Sequence, residues 1–177
     1  MEALGEGSTE RMLRTIPTDI NPENGLGEEL FLTVSSLVPI VNVDLLVYNE
    51  KGQFLLTWRD DPHCGTGWHI PGGCIRFKET CAARIEKVAK QELGIKHILF
   101  EKEPIKVFEI INYEHRDIDD QNERGHFITL VYKCYVPEDF IVEKQPYRDG
   151  EVGFMQWFDH LPDNLLSIQS CYKEIIK

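Results

Sequence analysis

Hydrophobic and polar positions change period several times along this chain, and each change marks an element. Between residues 41 and 48, Val41, Val43, Leu45 and Val47 alternate with Asn42, Asp44, Leu46 and Tyr48, the period of two that sends successive side chains to opposite faces of a strand. This predicts a strand that buries one face. Asn49-Glu50-Lys51-Gly52 reads as the turn into a second strand at 54–59, and a loop holding Pro62, Gly65 and Gly67 follows. Over 80–93 the spacing becomes helical: Cys81, Ala82, Ile85, Val88, Ala89 and Leu93 recur at three and four, and Gly94 stands where a C-terminal cap belongs. Strand-like runs at 105–113, 127–136 and 154–158 come next, parted by an acidic loop (Asp117, Asp119, Asp120, Glu123) and by a Pro- and Gly-containing loop at 145–150. From Asp163 onward, Leu165, Leu166, Ile168, Tyr172, Ile175 and Ile176 make an apolar stripe that predicts a closing helix. Residues 29–37 form a short helix or strand leading into this pattern.

Strands interrupted by one helix and closed by another predict an α+β domain, with helices packed on the faces of a mixed sheet. At 177 residues and 42% apolar composition, with nine Phe, six Tyr and three Trp, the chain can bury one sizeable core. The domain is expected to span 28–177, behind an arm-like segment at 1–27 where Gly5, Gly7, Pro17, Pro22, Gly25 and Gly27 sit among polar residues. A formal net charge of -11 repels polyphosphate backbones, which argues against a nucleic-acid partner but admits a small anionic substrate held through a metal ion. The five cysteines include no Cys-x-x-Cys pair, which suits reduced thiols and predicts a cytoplasmic location. The first ten residues lack the basic patch and apolar run of a secretory signal. No stretch reaches the roughly 20 apolar residues that cross a bilayer, so no membrane partner is expected.

Glu92 is the most informative single residue, because it lies four positions after Val88 and seven after Ile85, on the stripe the helix turns toward the core. A carboxylate there needs a cation or several donors. A metal ion is one answer; a frayed last turn that lets Glu92 reach solvent or an Arg is the other. Just before the helix, Trp68-His69-Ile70-Pro71-Gly72-Gly73 offers two glycines whose backbone can approach a ligand closely. Backbone carbonyls from such a turn can join a carboxylate in an oxygen-rich Mg²⁺ site. The turn lacks the Gly-Lys-Ser/Thr ending of a P-loop.

Order and spacing then carry a resemblance. Gly73, five residues, Glu79, seven residues, and Lys87-Val88-Ala89-Lys90-Gln91-Glu92-Leu93-Gly94-Ile95 resemble the Nudix pattern G-x5-E-x7-R-E-U-x-E-E-x-G-U, where U is a bulky aliphatic residue. Its carboxylates in R-E-U-x-E-E share one helix face and jointly hold divalent cations. Here Lys87 stands for the Arg, Val88 for the first Glu, Gln91 for the second, and only Glu92 remains. The chain is similar to the GDP-mannose mannosyl hydrolase branch, whose box also lacks the first Glu and keeps the last. The likeness runs from about Glu29 to Phe158, through Leu46-Val47, Gly52-Gln53-Phe54-Leu55-Leu56, Arg59, Gly67-Trp68, Pro71-Gly72-Gly73 and Glu79-Thr80.

This resemblance implies an α/β/α sandwich, Mg²⁺ or Mn²⁺ as cofactor, a homodimer in which the N-terminal arm packs on a second subunit, and hydrolysis of a nucleotide sugar into sugar and nucleoside diphosphate. It further implies that Gly72 gives a backbone oxygen and Glu92 a carboxylate to the metal, that Arg59 stabilises the leaving diphosphate, and that Asp44 contacts substrate. An ordinary ion pair between neighbouring strands is the alternative for Asp44 and Arg59. The branch has Gln-His before the Trp of its last strand, as metal ligand and general base; here Glu151 and Val152 stand before Trp157. Glu151 then becomes the candidate for both roles, with Asp149 or a loop His beside it, against a solvated turn at 148–151. His126 matches a branch histidine and is a candidate substrate contact; His115 is a second available base, and either can instead be an ordinary surface histidine. Trp58 and Trp68 can stack on a nucleobase, Trp68 being the candidate contact, or sit in the core. His63, Cys64, His69, Cys74 and Cys81 fit no usual zinc spacing. Two further readings stay open: a pyrophosphatase on another nucleoside diphosphate derivative, and a non-catalytic Nudix module that binds a nucleotide ligand.

Overall fold

The computed structural model describes residues 25–61, 65–111 and 125–176, so the acidic loop, His115, His63, Cys64 and nearly all of the expected arm lie outside the described residues. In chain order the elements are α1 (Glu28–Leu37), β1 (Ile40–Tyr48), β2 (Phe54–Asp61), β3 (Gly65–His69), β4 (Gly72–Cys74), α2 (Cys81–Glu92), β5 (Leu99–Phe100), β6 (Lys106–Ile111), β7 (His126–Tyr135) and β8 (Met155–Phe158), with 3₁₀ turns at Val142–Lys144 and Ser167–Glu174. The strands make one mixed sheet in the order β3-β2-β1-β7-β5, with β4 also on β1, β6 on β7 and β8 on β2. β1 and β7 run parallel, from Ile40 opposite Phe127 to Tyr48 opposite Tyr135.

β1 departs from the expected one-sided strand. Val43, Asp44, Leu45, Leu46 and Val47 are all buried, because both faces of the sheet are covered. Val43, Leu45 and Val47 join Leu55 and the helical Ile85, Val88 and Ala89 in one core. Leu46 joins Phe54, Leu56, Trp68, Phe108, Tyr172 and Ile176 in a second. A strand buried on both sides needs apolar residues at even and odd positions alike, and Asp44 is the one charged residue in that run.

α2 forms where its spacing predicts. Thr80 is the N-cap and its side chain accepts the Ala83 N–H at 3.1 Å. At the other end the Ile95 N–H reaches back to the Ala89 carbonyl at 3.0 Å, and Gly94 takes the left-handed φ of 69° that this closure requires. The closing segment differs from expectation. Leu165 and Leu166 stay extended against Trp68, whose N–H bonds the Asn164 carbonyl while the Leu166 N–H bonds the Trp68 carbonyl. Only Ser167–Glu174 then coils, as 3₁₀ helix. Gly67 permits this approach, since a Cβ there would meet the Asn164 carbonyl.

The turn after β1 is as expected: Asn49 Oδ1 accepts the Lys51 and Gln53 N–H groups at 2.9 and 3.0 Å. β1 and β2 pair only at Tyr48 opposite Phe54. Beyond that point β2 turns away to β3 and β8, and β4 takes its place along Asn42, Val43 and Asp44. The change of neighbour opens the sheet beside Asp44.

Candidate active site

Asp44 sits where β1 exchanges β2 for β4, directly opposite Gly72. Any Cβ on Gly72 would collide with the Asp44 carboxylate, so glycine here is required by the close approach of strand and carboxylate. Asp44 is 5% exposed, and Tyr172 donates its hydroxyl to Oδ2 at 2.6 Å. Burial pushes the Asp44 carboxyl up to about 7; the Tyr172 hydrogen bond opposes this, nearby Glu92 adds to it and Arg59 opposes it. The Tyr172 hydroxyl is itself held well above its usual range by burial and by Asp44.

Glu92 closes α2 with a side chain 33% exposed, and its Oε2 faces His69 Nε2 at 3.4 Å. The partner that its place on the helix demands is therefore an imidazole. His69 is positioned by register, opposite Thr57 on β2. Its Nδ1 lies 2.9 Å from the Thr57 carbonyl oxygen.

The rest of the motif is scaffold. Glu79 Oε2 accepts the Arg76 N–H at 2.9 Å, Arg84 Nε at 2.7 Å and Arg84 Nη2 at 2.6 Å, while Lys87 Nζ stands 2.9 Å from Oε1. Burial raises the Glu79 carboxyl, but the Arg76 N–H, Lys87 and Arg84 outweigh it and hold Glu79 below the usual range. Lys87 thus ties the helix to the loop before it. Val88 is core, and its Cγ2 packs against Gly73. Gln91 is exposed.

A cavity of about 410 Å³ lies beside Asp44, lined by Arg59, His69, Gly72, Asn42 and Thr129, with Phe31 of α1, Ile110, Phe127 and Ile168 giving apolar walls. That volume suits a small organic ligand. Asn42 Oδ1 is buried without a hydrogen-bond partner among the described residues, an acceptor open to a ligand's donor. The negative Glu92 beside the buried Asp44 is a donor set short of positive charge, which a divalent cation would correct.

Of the residues singled out in the sequence, Asp44, Arg59 and Gly72 share this cavity, and Glu92 adjoins it through His69. Trp68 is a correction. It is 6% exposed, sits against Trp58, Phe154 and Phe158, and belongs to the core, so its ring faces are not offered to a base. His126 pairs with Glu109 at 3.1 Å and is not among the cavity's lining. Glu151 is likewise outside it: its exposed carboxylate accepts the Arg148 N–H at 2.9 Å and closes a solvated turn. Among the described residues, no three His, Cys, Asp or Glu side chains gather where one metal ion would be held, and Cys81 is a free thiol. No described helix is long and apolar enough to cross a membrane. His69 and Tyr172 went unpredicted as partners of Glu92 and Asp44; their pairings depend on strand register and on a contact across 128 residues of chain.

A family model described as NUDIX domain matches residues 38–162. The chain is 25% identical over 118 residues to the low-salt glycan biosynthesis protein Agl8 of Haloferax volcanii, covering 67% of this chain and 72% of that protein. It superposes on a MutT Nudix hydrolase from Burkholderia pseudomallei with a TM-score of 0.55 and 24% identity, over 79% of this chain and 99% of the other.

Proposed function

The chain belongs to the Nudix hydrolase family, and from that premise we propose that it hydrolyses a nucleoside diphosphate sugar, GDP-mannose-like in its chemistry, with Mg²⁺ or Mn²⁺, releasing free sugar and nucleoside diphosphate. The observation that carries this reading is the cavity itself, which unites Asp44, Arg59 and Gly72 beside Glu92, the set that the resemblance to the mannosyl hydrolase branch singles out. The relative named for glycan biosynthesis in Haloferax volcanii agrees with it.

Water adds its oxygen to the anomeric carbon, the bond from that carbon to the diphosphate oxygen breaks, and the diphosphate leaves with the bonding electrons. Arg59 neutralises charge on that leaving group. Asp44 accepts a sugar or base donor, held in place by Tyr172. Glu92 and the Gly72 backbone oxygen would hold the cation, which when bound would supply further positive charge to the diphosphate. The water's proton must pass to a base within hydrogen-bond reach; Asp44 lines the cavity, whereas Glu151 would have to leave its turn. A homodimer belongs to the same reading, supported by Val41 of β1 and Val107 and Ile111 of β6, which lie exposed on one face of the sheet on either side of β7. A cytoplasmic location is supported by the free thiols of Cys81, Cys134 and Cys171.

The test is incubation with a panel of nucleotide sugars and other nucleoside diphosphate derivatives, with Mg²⁺, with Mn²⁺ and with EDTA, products being identified by mass. Metal-dependent release of free sugar is the expected result. Release of nucleoside monophosphate would make the chain a pyrophosphatase, and tight binding without turnover would make it a binding module.

A further inference from the structure

We infer that His69 is a nitrogen ligand to the same cation as Glu92, so that the site selects a first-row transition metal such as Co²⁺ or Mn²⁺ over Mg²⁺. The inference rests on the reading above, in which Glu92 holds a cation, and adds a ligand that the family pattern does not contain.

The argument begins with the tautomer. His69 Nδ1 lies 2.9 Å from the Thr57 carbonyl oxygen, and a carbonyl can only accept, so Nδ1 carries the hydrogen and Nε2 presents a lone pair. That lone pair faces Glu92 Oε2 at 3.4 Å. One positive centre between them would satisfy the nitrogen and the carboxylate together. The Thr57 hydroxyl does not fill the role. At 3.1 Å from Nδ1 and 3.3 Å from Nε2, it is nearly equidistant from both nitrogens, which places it over the ring and not in line with the Nε2 lone pair.

The spacing fits a shared ion. Two donors each about 2.1 Å from one metal lie roughly 3.0 Å apart at a right angle and roughly 3.4 Å apart at the tetrahedral angle. The ring is also held as metal-binding imidazoles are, with its other N–H given to a backbone carbonyl that locks tautomer and orientation. The His69 side chain is only 9% exposed, so its lone pair has little water to turn to. No third His, Cys, Asp or Glu completes the group among the described residues. Waters and diphosphate oxygens take the remaining positions. An imidazole nitrogen strengthens binding of first-row transition metals, Mn²⁺ least and Co²⁺ more, relative to the oxygen-seeking Mg²⁺, and the pairing of His69 with Glu92 thereby tells the metals apart.

The experiment is pulsed electron paramagnetic resonance of Mn²⁺ on the full chain, alone and with a nucleoside diphosphate, together with Mn²⁺ and Mg²⁺ titrations. The control is His69→Asn, whose amide keeps the donor to Thr57 and removes Nε2, its folding checked by thermal unfolding. Expected is a directly bound ¹⁴N coupling in the wild type, lost in His69→Asn, with Mn²⁺ affinity lowered roughly tenfold or more and Mg²⁺ affinity changed by less than about threefold. Bound Mn²⁺ without ¹⁴N coupling would overturn this inference, leave Glu92 as a metal ligand, and mean that a proton joins His69 to Glu92. Should Mn²⁺ remain fully hydrated in both conditions, the inference and the metal reading beneath it both fall. If His69→Asn does not fold, the wild-type coupling alone decides.

Discussion

Glu79 and Asp44 are both shut away from water, Glu79 with a side chain 6% exposed and Asp44 at 5%, yet their proton affinities move in opposite directions. Around Glu79 stand Arg84, Lys87 and the Arg76 N–H, enough positive charge and donors to outweigh burial and hold its carboxyl low. Around Asp44 stand one tyrosine hydroxyl, a guanidinium that acts on it, and a second carboxylate, and burial pushes it up to about 7. The difference separates scaffold from site. A buried carboxylate balanced by two cations of its own chain fixes the loop to the helix; one with less positive charge around it has capacity left for a ligand.

This comparison can be broken in four ways. The largest effect is expected at Glu79→Gln, which strips the carboxylate from the buried Arg84 and should cost about 3 kcal/mol of unfolding free energy, measured by urea denaturation, with activity per folded molecule preserved. Glu92→Gln should do the reverse: about a 100-fold fall in kcat, near 2.7 kcal/mol of transition-state stabilisation, with a melting temperature shifted by no more than a few degrees. Equal losses of stability in both variants would erase the distinction between scaffold and site.

The third prediction concerns pH. Asp44 has a folded value of about 7 against 3.8 unfolded, so the folded state binds the extra proton between these values, and Asp44's contribution to stability falls as pH rises from about 4 to about 7, then levels. Glu79, held low, contributes stability that is present above its unfolded value of 4.5 and lost as pH falls through its lower folded value. Asp44→Asn should therefore flatten the slope of stability between pH 4 and 7, and an unchanged slope would place the raised group elsewhere. The smallest effect is expected at Glu151→Gln, below about threefold in kcat, because its carboxylate is engaged with the Arg148 N–H on an exposed turn. A fall as large as that of Glu92→Gln would bring Glu151 back into the chemistry as ligand or base.

Much of the frame was legible in the chain because it depends on local period. β1, β2, β7 and α2 follow from alternation and helical spacing, with Thr80 and Gly94 at the helix ends. β3 and β4 have the sequence pattern of loop and turn, since four of their eight residues are glycines, Gly65, Gly67, Gly72 and Gly73; they are strands only because β2 and β1 supply partners. β5 is two residues long and has no period to read. The stripe after Asp163 is apolar as expected, but contact with Trp68 keeps its first residues extended.

The site divides similarly. Asp44, Arg59, Gly72 and Glu92 were reachable through motif spacing and family likeness, and the cavity joins the first three beside the fourth. Trp68 was misjudged because an aromatic residue beside glycines looks the same in sequence whether it lines a pocket or fills a core. His69 and Tyr172 were missed for a different reason. The pairing of His69 with Thr57 is a matter of register between β2 and β3, and Tyr172 meets Asp44 from the far end of the chain; neither contact leaves a mark in local pattern.

The most direct test of the central claim is hydrolysis of a nucleotide sugar in ¹⁸O-labelled water with Mn²⁺ present, followed by mass analysis of both products. Attack at the anomeric carbon predicts the label on the sugar and an unlabelled nucleoside diphosphate. Label on a phosphate product would mean that water attacks phosphorus, and would contradict the account.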